Sequence, residues 1–224
     1  VNMLLTVLLD TGASTEPTVI NDPKNMIIVP GVNDFLPAQE ATLIIGSIIA
    51  ALVIHELAHA VAARVYGVSI KESGLILLFY LFPVGAYVLP GDDFDDARTL
   101  DAARILSAGI LANLVLVVGT VLYFALGDTS IATAYMYYFS LLPGVPATTA
   151  ELSWLDRAVW WTLFMNVNLA LTNALPIYGL DGGQIVYQLF GSRMSHRRAF
   201  YGTILVSLLV VGTVIVFLFG PYLW

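Results

Sequence analysis

Long apolar runs separated by short polar stretches organise this chain. Residues 10–38 are rich in Pro, Asn and Asp and read as an extramembrane loop. Ahead of them, residues 3–9 are apolar but too short to cross a bilayer, which takes about 20 residues as a helix. They read as the remnant of an earlier span or as a short interfacial segment. Apolar runs at about 41–65, 100–126, 155–175 and 200–219 each have the length of a span. Between the first two, residues 74–82 and 85–89 flank Pro83, and their aromatic and β-branched content disfavours one continuous helix. A short sheet or re-entrant hairpin is expected there, packed inside the protein, because irregular backbone at membrane depth needs protein or a water cavity around it. Asp92-Asp93-Phe94-Asp95-Asp96 reads as an aqueous loop. Residues 127–153 read as another, with an interfacial aromatic patch at Tyr135-Met136-Tyr137-Tyr138-Phe139. After the break at Pro176, Leu180-Asp181-Gly182-Gly183 opens a brief helix to Phe190. The pattern predicts an all-α polytopic membrane protein with about four transmembrane helices plus a short re-entrant or β-hairpin element.

Composition agrees with a bilayer environment. Of the 224 residues, 58% are hydrophobic and 11% charged, against about 25% charged in soluble domains, and mean hydropathy is +0.85. A net charge of −7 argues against a nucleic-acid partner. The absence of cysteine excludes a disulfide framework, cysteine-ligated zinc and thiolate catalysis. Charge also orients the spans. Arg64, Lys71, Arg98, Arg104, Arg193, Arg197 and Arg198 fall on one side of the alternating topology, Lys24 and Arg157 on the other. Lys and Arg are enriched on cytoplasmic loops, so the ends of the first and third spans are expected to face the cytoplasm.

Candidate chemistry lies close to that side. His55-Glu56-Leu57-Ala58-His59 sits near the end of the first run, nine positions before Arg64, or roughly 13 Å along a helix. On a helix this spacing puts two imidazoles one turn apart on one face, with a carboxylate between them that can act on water. An ionisable group costs roughly 2.5–3.5 kcal/mol or more at the bilayer centre, so three on one buried turn imply a metal or a water-filled cavity. The remaining histidine, His196, lies in a basic loop and reads as a surface residue. A catalytic zinc takes three protein ligands. Asp181 is the best third, since it ends a span on the correct side and Gly182 and Gly183 leave the backbone free to approach; its bland reading is a helix N-cap. Glu56 is then left as general base. Asn113 and Asn173 orient the substrate carbonyl or stabilise the oxyanion, or else tie helices together.

His55-Glu56-x-x-His59, Gly109-x-x-x-Asn113 and Asn173-Ala174-Leu175-Pro176 leading to Leu180-Asp181-Gly182 resemble the site-2 protease family of intramembrane zinc metalloproteases over roughly residues 30–224. Pro30-Gly31-Val32-Asn33 and residues 74–87 look like the branch with the eukaryotic enzyme that releases membrane-bound transcription factors. The resemblance implies an extramembrane segment at 1–38 and an intramembrane metalloprotease domain at 39–224. It implies one zinc held by His55, His59 and Asp181, with Glu56 as catalytic base. The substrate it implies is a membrane-spanning protein in the lipid bilayer, already trimmed by an upstream site-1-type protease, with product leaving toward the cytoplasm. Many relatives carry a PDZ-type domain between the second and third spans, for which residues 127–153 are too few. The rival reading is a catalytically inactive relative that binds membrane segments, or a metal-handling membrane protein. Against it, the ionisable set clusters at one depth on one side, with Glu56 retained.

Overall fold

The computed structural model describes residue 24 and residues 30–78, 82–142 and 145–223. The apolar stretch at 3–9 and much of the loop at 10–38 lie outside these. The order of elements is α1 (Ala41–Val65), β1 (Ile70–Leu78), β2 (Phe82–Pro90), α2 (Thr99–Leu126), α3 (Ile131–Phe139), α4 (Trp154–Ala174), α5 (Asp181–Gly191) and α6 (His196–Leu223). Helices therefore dominate, with one hairpin, as the apolar pattern predicts.

Among the described residues, three helical stretches are long and apolar enough to cross a membrane: Ala38–Val65, Thr99–Leu126 and His196–Val216. The first two have 28 residues each, about 42 Å at 1.5 Å per residue against a hydrocarbon core of about 30 Å. The expected fourth span is also a helix. With 21 residues α4 is long enough, but Asp156, Arg157, Asn166, Asn168 and Asn173 make it markedly less apolar. It packs against both α1 and α2, and its Asp156 and Asn166 are buried against neighbours rather than set in lipid. Large apolar side chains such as Leu57, Val61, Val115 and Val118 point outward instead, the arrangement a hydrocarbon solvent favours.

Helix α1 stops where its sequence allows a sharp stop. Gly67 adopts φ +78°, a conformation that costs glycine little. Its N–H donates to the Arg64 carbonyl at 3.2 Å and the Val68 N–H to the Ala63 carbonyl at 2.8 Å, the paired bonds of a Schellman ending. Val68 then packs with Ala63 and Ile105, which turns the chain back toward the hairpin. Strands β1 and β2 pair antiparallel, with Gly74 opposite Tyr87 and irregularities between Ile70 and Glu72 and between Ile76 and Leu77. The strands extend beyond the apolar stretches that suggested them, through Lys71, Glu72 and Ser73, because ladder pairing continues on the aqueous side. There Lys71 pairs with Asp92. Strand β2 lies against α1.

Residues 127–153 are less loop-like than their composition indicates. Ser130 caps α3, its Oγ accepting the Thr133 N–H at 3.1 Å. The aromatic patch divides: Tyr135 and Met136 are exposed, whereas Tyr138 is buried, stacked on Trp160 at 5.3 Å between centroids. That contact joins a core of Leu36, Ile44, Tyr138, Trp161 and Met165. Tertiary packing thus draws part of an expected interfacial patch inside.

Candidate metal centre

One turn of α1 carries His55 and His59, both buried, and their ring polarities can be deduced from partners that cannot donate. His59 Nδ1 lies 2.8 Å from the Ile105 carbonyl oxygen. A carbonyl only accepts, so Nδ1 carries the proton and Nε2 keeps its lone pair. His55 Nδ1 lies 2.6 Å from Asn113 Oδ1. The Asn113 amide nitrogen faces the Ala51 carbonyl at 3.3 Å, which places the amide oxygen toward His55 and makes His55 Nδ1 the donor. Both Nε2 atoms are therefore acceptors.

These two acceptors face each other at 3.1 Å and share a third. Asp181 Oδ2 lies 3.1 Å from His55 Nε2 and 3.2 Å from His59 Nε2, and no hydrogen-bond donor reaches it. Three lone-pair atoms thus surround one point with no proton between them, an arrangement that calls for a cation. The spacing suits one. Bonds of about 2.0–2.1 Å in tetrahedral directions set ligand atoms about 3.3–3.4 Å apart, close to the observed triangle. Among the described residues, this is the group of histidine and acidic side chains able to hold a metal ion.

Neighbouring elements keep that point open. A Cβ added to Gly109 on α2 would come within 2.5 Å of His59 Nε2 and 2.6 Å of His55 Nε2, so only glycine leaves the space between the rings. Asp181 is the first residue of α5, and the N-cap is Leu180. It is therefore not a capping aspartate; its carboxylate gains from the positive helix N-terminus while pointing at the histidines. Gly182 and Gly183 let α5 start directly against the preceding turn, since Cβ atoms there would collide with the carbonyls of Ala174, Leu175 and Ile177. Ser207 on α6 secures the turn, its Oγ accepting the Tyr178 N–H at 2.8 Å and lying 3.3 Å from the Pro176 carbonyl.

Glu56 stands half-buried on the same turn of α1 as the two histidines. Strand β2 packs against this motif helix. The two asparagines part company. Asn113 is fully buried behind His55, so of its two readings the interhelical one matches its placement. Asn173 donates to the Leu169 carbonyl of its own helix at 3.1 Å. The acidic run stays outside the cluster: Asp92 pairs with Lys71 and Asp93 with Ser69. His196 is exposed. Three contributors escape sequence reasoning: the Ile105 carbonyl, which has no side-chain signal, Ser207 in the last span, and Asn166.

A His-Glu-x-x-His helix, a third acceptor from a distant helix start and apolar helices around them describe a membrane-embedded metalloprotease centre. The model for peptidase family M50, the site-2 protease family, matches residues 43–218, and the chain belongs to that family. It is 43% identical over 70 residues to an uncharacterized protein of Methanocaldococcus jannaschii, covering 31% of this chain and 19% of that protein. It is also 36% identical over 140 residues to the putative zinc metalloprotease Rip3 of Mycobacterium tuberculosis, covering 62% of this chain and 28% of Rip3. The matched stretches thus span less than a third of the length of either relative.

Proposed function

We propose that the protein is a site-2-type intramembrane zinc endopeptidase, with His55, His59 and Asp181 as ligands and Glu56 as general base. Its substrate is the transmembrane segment of a membrane protein, cut within or near the bilayer. The observation that carries this reading is the convergence of three acceptor atoms at 3.1–3.2 Å with no donor between them, next to a carboxylate outside the trio. When bound, zinc supplies Lewis-acid polarisation of the scissile carbonyl and lowers the pKa of water. Glu56 takes the proton from the attacking water and delivers it to the leaving amine. A substrate helix enters laterally and unwinds, because its own hydrogen bonds shield its peptide bonds. The hairpin edge receives the unwound segment as an added strand, which the packing of β2 on α1 brings toward the base. The excess of Lys and Arg on the hairpin side orients the site to the cytoplasm, where the product is released. Trimming by an upstream site-1-type protease precedes the cut.

Purified Glu56→Gln should retain one zinc per chain and cut no single-pass membrane substrate. Continued cleavage by that variant would remove Glu56 as the base. Wild-type protein that binds zinc stoichiometrically yet cuts none of a panel of trimmed single-pass substrates would favour the rival, a binding-only or metal-handling relative.

A further inference from the structure

We infer that Asn166, on α4, is a positioning residue for the metal centre: through Asn113 it fixes His55 in the tautomer whose Nε2 lone pair faces Asp181. This rests on the proposed function only in taking His55 as a ligand.

The direction of each hydrogen bond follows from a helix carbonyl at the far end. Asn166 Nδ2 lies 2.7 Å from the Thr162 carbonyl oxygen one turn back on α4. That oxygen can only accept, so Asn166 Oδ1 is turned the other way, toward α2. There it accepts the Asn113 amide at 2.6 Å. With its nitrogen so engaged, Asn113 presents its oxygen to His55 Nδ1 at 2.6 Å. The chain of donors runs from His55 through Asn113 and Asn166 to the Thr162 carbonyl, and each of the two asparagines both donates and accepts. Asn113 is 0% and Asn166 1% exposed, so bulk water cannot replace either partner.

Reversal of this polarity would disable His55. With Asn113 flipped, its nitrogen would face Nδ1, the ring proton would move to Nε2, and a donor rather than a lone pair would point into the site. The flipped oxygen would also meet both Ala51 O and Asn166 Oδ1, two acceptors. The Ala51 contact opposes the flip at 3.3 Å, longer than the 2.6 Å contact from Asn166, so the asparagine on α4 is the tighter constraint. A residue that merely ties helices would need a hydrogen bond of either direction. This one needs an acceptor facing α2. His59 has a separate arrangement, since its Nδ1 meets the Ile105 carbonyl directly.

The chain contains only three histidines, so nitrogen NMR of histidine-labelled full-length protein, stripped of metal, can read each tautomer. In wild type, His55 and His59 should both carry the proton on Nδ1. Asn166→Leu should release His55 into a mixture while His59 stays fixed, and zinc affinity, measured by chelator competition, should fall about 10–100-fold, as for other partners of metal ligands. Asn166→Asp keeps an oxygen toward Asn113 in either protonation state, so its affinity should stay within about threefold of wild type on the same scale. If the leucine variant does not fold, Asn166→Ala carries the same expectation. A folded leucine or alanine variant with the wild-type His55 tautomer and wild-type zinc affinity would overturn the inference. So would an aspartate variant that loses as much affinity as the leucine variant. Failure of the ligand reading looks different: His55→Ala would then bind zinc as wild type does, while the tautomer shift on removing Asn166 would persist.

Discussion

Two carboxylates with a buried oxygen each, 141 positions apart in sequence, have opposite fates. Glu40, just before α1 and 1% exposed, meets Arg157 from α4. Arg157 Nη2 lies 2.5 Å from Oε1 and its Nε 3.2 Å from Oε2, while Trp161 Nε1 donates to Oε2 at 3.2 Å. The chain supplies its own cation there. Farther along α1, Asp181 meets two imidazoles whose lone pairs face it, and the chain supplies no donor. Both groups bear the desolvation cost of a buried charge. One is completed by covalent structure and can serve only to fix α4 to the start of α1. The other is complete only with something from outside, which is what makes it a site.

The strongest test of this contrast removes an acceptor from the open cluster. Asp181→Ala should abolish both stoichiometric zinc and cleavage, read by metal analysis and a membrane-substrate assay, while leaving the Glu40 cluster intact. If zinc survives with unchanged affinity, Asp181 is not the third ligand. Next, Arg157→Ala strands Glu40 and should destabilise the fold by about 3–5 kcal/mol, as measured for broken buried pairs, without altering the zinc affinity of molecules that remain folded. Adding Glu40→Leu should recover much of that loss. Chelation is the matching experiment at the metal centre. With free zinc a hundredfold above its Kd, removing the ion should cost about 2.7 kcal/mol of stability in wild type and none in Asp181→Ala. A chelator effect of equal size in both would locate the stabilising ion elsewhere.

The smallest effect concerns a carboxylate that water already serves. The Ser69 backbone N–H, 2.9 Å from Asp93, holds this exposed carboxyl below its usual range. A depressed pKa means the contribution is complete above the unfolded value and is lost as pH falls through the folded one. Asp93→Asn should speed hydrogen exchange at the Ser69 amide slightly at neutral pH. The variant and wild type should converge in acid; unchanged exchange would show that the contact does not fasten the hairpin base.

How much of this could be read from the chain follows the strength of each signal. Helix α1 runs over 41–65 as its apolar pattern indicates, because an uninterrupted apolar stretch with a glycine stop leaves little choice. The grouping of His55, His59 and Asp181 was legible because few chains place ionisable groups in such a setting without a reason. Helix α3 was not: its nine residues give a weak periodic signal, and packing of Tyr138 on Trp160 lies outside local sequence. Asn173 stood out beside Pro176, and one of its amide N–H groups bonds to the Leu169 carbonyl of its own helix. Asn166 drew no reading from the sequence. Its meaning depends on which way an amide points, and that is set by the Thr162 carbonyl, a group with no letter in the sequence. Gly109 was visible in a motif, but the distance from its Cα to two imidazole rings was not.

The sequence separation between the histidines and their partner carboxylate has a consequence for biosynthesis. Residues 55 and 59 leave the ribosome long before residue 181, and Ser207, which secures the turn ahead of Asp181, follows later still. A partly synthesised chain has two imidazoles and a carboxylate on one helix but lacks the oxygen that closes the triangle. The triangle of metal-ligand candidates therefore closes late, after α1, α2 and α4 have been made.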